Sequence, residues 1–187
     1  MNQLRVIAGK WRGRKISFID QEGLRPSPNR VRETLFNWLQ SDIVGANCLD
    51  LFAGSGALSF ESASRGASHI TCLELNSESA ANIKENISLL QAEQITLFQQ
   101  DALKFLKAAK PENKFRLVFL DPPFNENLLE ESCVLLESNS WLDDTALIYL
   151  ESNQTLEKYT LPTNWTLIKQ KKAGQVYYGL CQRTESE

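Results

Sequence analysis

The chain has 187 residues, 42% of them hydrophobic and 23% charged, with a formal net charge of −3. That length can bury one substantial core and is short for two full domains. With no uninterrupted run of about 18 apolar residues and no apolar segment behind the basic N-terminus, the sequence predicts neither a membrane span nor a secretory leader, and so a cytoplasmic chain.

Residues 1–32 carry eight Lys/Arg (Arg5, Lys10, Arg12, Arg14, Lys15, Arg25, Arg30, Arg32) against Asp20 and Glu22, a balance of +6, whereas the remainder holds 12 Lys/Arg against 21 Asp/Glu, or −9. This polarity suits an acidic body with a basic arm for a polyanionic substrate, and also a merely solvated basic hairpin. Two short β-prone runs, 4–8 and 15–19, separated by Gly9 and Gly13, predict the hairpin. Pro26 and Pro28 enforce an extended approach, with Ser27 as N-cap and Pro28 as first helical residue. Val31, Leu35, Trp38 and Leu39 then recur with helical spacing over 28–40. Residues 1–40 are therefore expected to form an arm packed on a body of 41–187.

From Asn47 the texture alternates between strands (47–52, 69–74, 95–99, 115–120, 145–150, 165–170, 175–182) and helices (56–65, 77–91, 101–109, 127–138). Such alternation predicts a mostly parallel, Rossmann-like α/β sheet of seven strands covered on both faces, and the turn-like Lys171-Lys172-Ala173-Gly174 makes the last two strands an antiparallel hairpin. Three of the four cysteines (Cys48, Cys72, Cys181) fall in these strands and Cys133 in a helix. They have no CxxC spacing, and His69 is the lone histidine, so no metal site is expected. The thiols read as core residues of a reducing compartment.

The first body strand ends in Leu49-Asp50-Leu51-Phe52 and enters Ala53-Gly54-Ser55-Gly56. Glycines there let backbone approach a ligand at the carboxyl edge of the sheet; a simple tight turn has the same signature. The dinucleotide pattern G-x-G-x-x-G requires glycine or alanine where Ser59 stands, so a cofactor lacking a pyrophosphate fits better. Glu74 closes the next strand about 20 residues on, where it can accept from ribose hydroxyls. Asp101 follows the third strand and can accept from an adenine amine, with the Ala102 backbone at the ring edge, or can cap the following helix.

The apolar run 115–120 leads directly into Asp121-Pro122-Pro123-Phe124. Adjacent prolines hold the turn extended and leave its carbonyls free. An exocyclic base amine is a poor nucleophile because its lone pair is delocalised into the ring. The Asp121 carboxylate and the Pro122 carbonyl can hold its two hydrogens and aim the lone pair at a methyl donor, which is catalysis by orientation and electrostatics. Phe124 can stack on the target base once it is unpaired.

The segments Arg5-Val6-Ile7-Ala8-Gly9, Leu24-Arg25-Pro26, Arg30 to Leu39, Leu49 to Gly56, Ser64-Arg65-Gly66-Ala67 and Asp121 to Phe124 resemble the RsmD-type 16S rRNA guanine-N2 methyltransferases of bacteria, over nearly the whole chain. The resemblance implies a class I methyltransferase fold, S-adenosylmethionine as donor, and a guanine of 16S rRNA, in the small ribosomal subunit or an assembly intermediate, as acceptor. It also implies that the basic hairpin and the Arg25 segment contact RNA or cover the active site; a monomer is the default expectation. One departure is Ser27-Pro28-Asn29, where the family commonly has threonine and polar residues after Arg-Pro. Rival readings are amino methylation of adenine N6 in DNA or RNA or of a protein glutamine, and an RNA-binding assembly factor without turnover.

Overall fold

The computed structural model describes residues 2–19, 27–108, 111–123 and 127–184. The chain opens with β1 (Asn2–Arg5) paired antiparallel to β2 (Lys15–Phe18). β1 lies earlier than the 4–8 run suggested, for a physical reason. Val6 still exchanges bonds with Arg14 and Gly13 at 2.9 Å, but the next two N–H groups, of Ile7 and Ala8, leave the ladder for the Glu61 carboxylate at 2.8 and 3.0 Å.

Helix α1 (Asn29–Trp38) starts one residue later than expected, because Pro28 holds the cap position with extended ψ and the Ser27 side chain donates elsewhere. Its stripe of Val31, Leu35 and Phe36 is fully buried. The Arg65 guanidinium lies 4.9 Å from the Phe36 ring centre.

The body alternates β3 (Asn47–Asp50), α2 (Ala57–Ser64), β4 (His69–Leu73), α3 (Ser77–Leu90), β5 (Ile95–Phe98), α4 (Ala102–Ala108), β6 (Phe115–Leu120), α5 (Leu128–Ser138), β7 (Leu142–Ser152), β8 (Trp165–Ala173) and β9 (Val176–Arg183), with a 3₁₀ turn at Leu156–Lys158. The seven strands lie in the order β5-β4-β3-β6-β7-β9-β8. β5 to β7 are mutually parallel, whereas β9 runs antiparallel to both β7 and β8. This is the Rossmann-like methyltransferase sheet with its C-terminal hairpin. β7 is longer than its sequence signal because Leu142 pairs with Phe115 ahead of an irregularity in the β6–β7 register.

Two apolar layers sandwich the sheet. On one face, Val6, Trp11 and Ile16 of the hairpin and Leu35, Phe36 and Leu39 of α1 join Phe60, Ile70, Ile83 and Tyr149 in a single core. On the other, Leu106, Leu129, Cys133, Leu136 and Trp141 cover Leu49, Val118, Leu120 and Ile148. All four cysteines are buried free thiols. No described helix is long and apolar enough to cross a membrane.

Candidate active site

The order reversal in the sheet falls between β3 and β6, and in open α/β sheets the crevice beyond the strand ends at such a point takes the ligand. Asp50 pairs in register with Phe119, so the glycine loop after β3 and the Asp121 turn after β6 leave the same edge side by side. Gly54 and Gly56 both adopt positive φ (54° and 75°). A side chain at Gly56 would press its Cβ within 2.8 Å of the Phe60 ring. The turn is closed by Gly56 N–H to Ala53 O at 2.7 Å and pinned to β4 by Ala53 N–H to Leu73 O at 2.9 Å. Ser55 and Ala53 are buried in it, and Phe52 packs on the apolar layer below.

Glu74 stands where the sequence placed it, but its two oxygens already accept from Gly54 N–H and Asn76 N–H, each at 2.7 Å. It ties the glycine loop to β4, and lone pairs remain for further donors. Asp50 is 2% exposed and turns inward to accept from Ser59 Oγ of α2 at 2.6 Å. Asp101 caps α4 by accepting from Lys104 N–H at 2.8 Å, with Ala102 buried as the first helical residue.

Asp121 is half-buried, Pro122 buried and Pro123 exposed; Phe124 and Arg25 lie outside the described residues. Sequence reasoning missed the partners of Asp121. Ser27 Oγ, assigned there to a helix cap, instead lies 3.3 Å from Asp121 Oδ2 and 2.9 Å from Glu151 Oε2. The Tyr149 hydroxyl donates to the same Glu151 oxygen at 2.7 Å. Glu151 ends a buried strand that reads only as apolar, and a lone acid there was the available signal.

These carboxyls share an electrostatic signature. Burial pushes Asp50 up to about 6, with the Glu74 charge adding and the Ser59 bond opposing. Burial also raises Glu74 against its backbone donors. It raises Asp121 well above the carboxylate range, helped by the charges of Glu151 and Asp50, and it raises Glu151 in spite of its hydroxyl donors. None of the four has a cationic partner among the described residues. Four carboxyls without a described cation, gathered at the edge that carries the glycine turn, favour a cationic ligand over an anionic one.

On the arm, Arg5, Lys10, Arg12, Arg14, Lys15 and Arg30 are exposed. Arg32 corrects the expectation: it is 1% exposed, with Nη2 donating to Arg5 O and Asn29 Oδ1 and Nη1 3.5 Å from Glu61. It binds arm to body and presents no charge to a polyanion. An open hollow of about 780 Å³ beside α4, lined by Thr71, Phe98, Phe105 and Trp141 among others, contains none of the predicted site residues.

A Rossmann-like sheet ending in an antiparallel hairpin, with a glycine loop and an Asp-Pro-Pro turn at its reversal point, defines a class I methyltransferase-type protein. The family described as "conserved hypothetical protein 95" matches residues 4–182. The chain is 48% identical over 181 residues to Ribosomal RNA small subunit methyltransferase D of Escherichia coli (strain K12), covering 97% of this chain and 90% of that one. It is also 48% identical to the protein of that name in Haemophilus influenzae, covering 96% and 94% of the two chains. The solved structure of yhhF from Escherichia coli superposes with a TM-score of 0.89 at 46% identity, over 99% of this chain and all of the other. The chain belongs to the small-subunit rRNA methyltransferase D family.

Proposed function

We propose that the chain transfers a methyl group from S-adenosylmethionine to the exocyclic N2 amine of a guanine in small-subunit rRNA. The observation that carries this reading is the placement of Asp121, with Ser27 Oγ 3.3 Å from its Oδ2, beside a glycine loop that Glu74 ties to β4. The donor fits the site on charge, since its sulfonium and ammonium would meet an edge with no cation among the described residues. When bound, it supplies an electrophilic methyl group, released as the bonding pair stays on sulfur. The glycine-loop backbone would hold it, with Glu74 as acceptor for its ribose hydroxyls and Asp101 as acceptor for its adenine amine.

The remaining work belongs to the Asp-Pro-Pro turn. Asp121 and the Pro122 carbonyl accept the two N2 hydrogens and point the lone pair outward. The Asp121 carboxylate takes the proton that the amine sheds as its N–C bond forms. Arg5, Lys10, Arg12, Arg14, Lys15 and Arg30 contact rRNA phosphates around the target, in a substrate presented as the small subunit or its assembly intermediate.

The test uses purified protein, labelled S-adenosylmethionine and small subunits from cells lacking the modification, with nucleoside analysis of the product. N2-methylguanosine is expected, and Asp121→Ala is expected to abolish it while leaving donor affinity by calorimetry within about threefold, since the glycine loop, Glu74 and Asp101 would supply the donor's main contacts. Label in adenine, DNA or protein, or donor binding without turnover on any acceptor, would overturn the reading.

A further inference from the structure

The reaction needs a planar amine, and adenine offers one as readily as guanine, so some group at this edge must tell them apart. The bases differ at the neighbouring ring nitrogen. Guanine carries N1–H, a second donor beside the amine, whereas adenine carries a bare N1 acceptor. A site selective for guanine therefore needs two adjacent acceptors, not one.

The structure contains such a pair. Leu120 and Leu150 are register partners on β6 and β7, so Asp121, just past β6, and Glu151, near the end of β7, stand at one level on adjacent strands. A single hydroxyl, Ser27 Oγ, lies between them, 3.3 Å from Asp121 Oδ2 and 2.9 Å from Glu151 Oε2. One hydroxyl has one hydrogen, and the shorter contact takes it. With Tyr149 donating at 2.7 Å, Glu151 Oε2 receives two donors and its carboxyl plane is locked. Glu151 Oε1 and Asp121 Oδ1 have no hydrogen-bond partner among the described residues. Glu151, Tyr149 and Ser27 are 4%, 1% and 7% exposed, too buried for water to substitute freely for a missing donor.

Building on the guanine reading above, we propose that Glu151 is the specificity residue: its Oε1 accepts guanine N1–H while Asp121 Oδ1 accepts an N2 hydrogen. Tyr149 and Ser27 are positioning residues that fix the carboxyl plane. Adenine would set its N1 lone pair against a buried carboxylate, a juxtaposition without a donor and without water to relieve it. A site built around a hydrogen bond rejects an analogue lacking the donor far more strongly than a merely apolar pocket does.

The test compares small subunits reconstituted with guanine or with 2-aminopurine at the methylated position. The analogue keeps the N2 amine and replaces N1–H with an acceptor. The unaltered protein should favour guanine in kcat/KM on the order of a hundredfold or more. Glu151→Gln keeps the acceptor toward Ser27 and Tyr149 and can turn an N–H toward the analogue, so it should lower activity on guanine and narrow the ratio to within about tenfold. Donor affinity by calorimetry confirms that the variant is folded. An equal loss on both substrates would overturn the proposal and leave Glu151 as a brace for the Ser27 turn. Failure of the unaltered protein on the guanine subunit would instead overturn the guanine reading on which the proposal stands.

Discussion

Removing the charge of Glu61 should loosen the N-terminal arm more than any change to its exposed basic residues. Glu61 sits on α2 with no exposed surface. Oε2 accepts from Ile7 N–H at 2.8 Å, and Oε1 accepts from Ala8 N–H at 3.0 Å and from Arg65 Nε at 2.7 Å. Arg32, equally buried, lies 3.5 Å away, and burial lowers its pKa while Glu61 opposes that effect. In Glu61→Gln the amide oxygen can serve one of these donors, whereas the amide NH₂ meets another donor. Arg32 is left as a buried cation without its counter-charge. Breaking a buried pair by deleting one partner costs about 3–5 kcal/mol, against a total stability on the order of 5–15 kcal/mol.

Urea unfolding should show this as a lower midpoint with little change in slope. Adding Arg32→Met removes the stranded cation and should recover at least about 1 kcal/mol relative to the sum of the single losses. A Glu61→Gln loss below about 1 kcal/mol, or strict additivity of the two changes, would refute the argument that this buried pair docks the arm.

Asp50 gives a pH prediction. Its folded pKa, about 6, lies above the ordinary 3.8, so its contribution to stability is full below 3.8 and lost as pH rises through 6. At 1.36 kcal/mol per pKa unit the whole effect is about 3 kcal/mol, of which roughly 1–1.5 falls between pH 5 and pH 7.5. Asp50→Asn should remove that much of the stability difference between these two pH values, as measured by urea unfolding; an unchanged difference would contradict a buried, titrating Asp50. Gly9 has φ +81°, and a Cβ there would stand 1.9 Å from Ser64 O. Gly9→Ala should therefore destabilise by at least about 1–3 kcal/mol and weaken rRNA binding in a filter assay while leaving donor affinity unchanged. Arg12→Glu with Arg14→Glu should lower the slope of log affinity against log salt by about 1.5–2, the loss of two phosphate contacts; an unaltered slope would leave the arm's charge merely solvated.

How far the sequence could be read depended on whether a residue's partner was near in the chain. The inner strands of the body were legible because they are short apolar runs bounded by turn signals, with β3, β4 and β6 buried along nearly their whole length. The positions of the glycine loop, Glu74 and Asp121 were legible because each directly follows an apolar strand run. Ser27 was misread as a cap because local pattern favours that role, whereas its partners lie 94 and 124 residues away. Arg32 was misread for the same reason: among other basic residues it looks like part of a charged face, and only the fold reveals Glu61 opposite. Glu151 offered only the faint signal of a lone acid at the end of an apolar run, because its role exists only once β7 lies beside β6.

α2 shows why such residues cannot be treated as surface. All eight positions of Ala57–Ser64 are buried, yet half of them are serine or glutamate, a composition that would ordinarily mark an exposed helix. Three of these side chains are tied across the molecule. Ser59 reaches Asp50 beside the glycine loop, Glu61 takes two backbone N–H groups of the arm, and Ser64 Oγ donates to Ala8 O at 2.6 Å while accepting from Trp11 N–H at 2.9 Å. Every buried polar group that is satisfied in this way fixes a distance, whereas apolar contacts allow sliding. The first turn of α2 carries the glycine loop and the last turn holds the basic hairpin. A single rigid helix therefore sets the spacing between the proposed donor site and the proposed RNA-binding surface, and disturbing either end should be felt at the other.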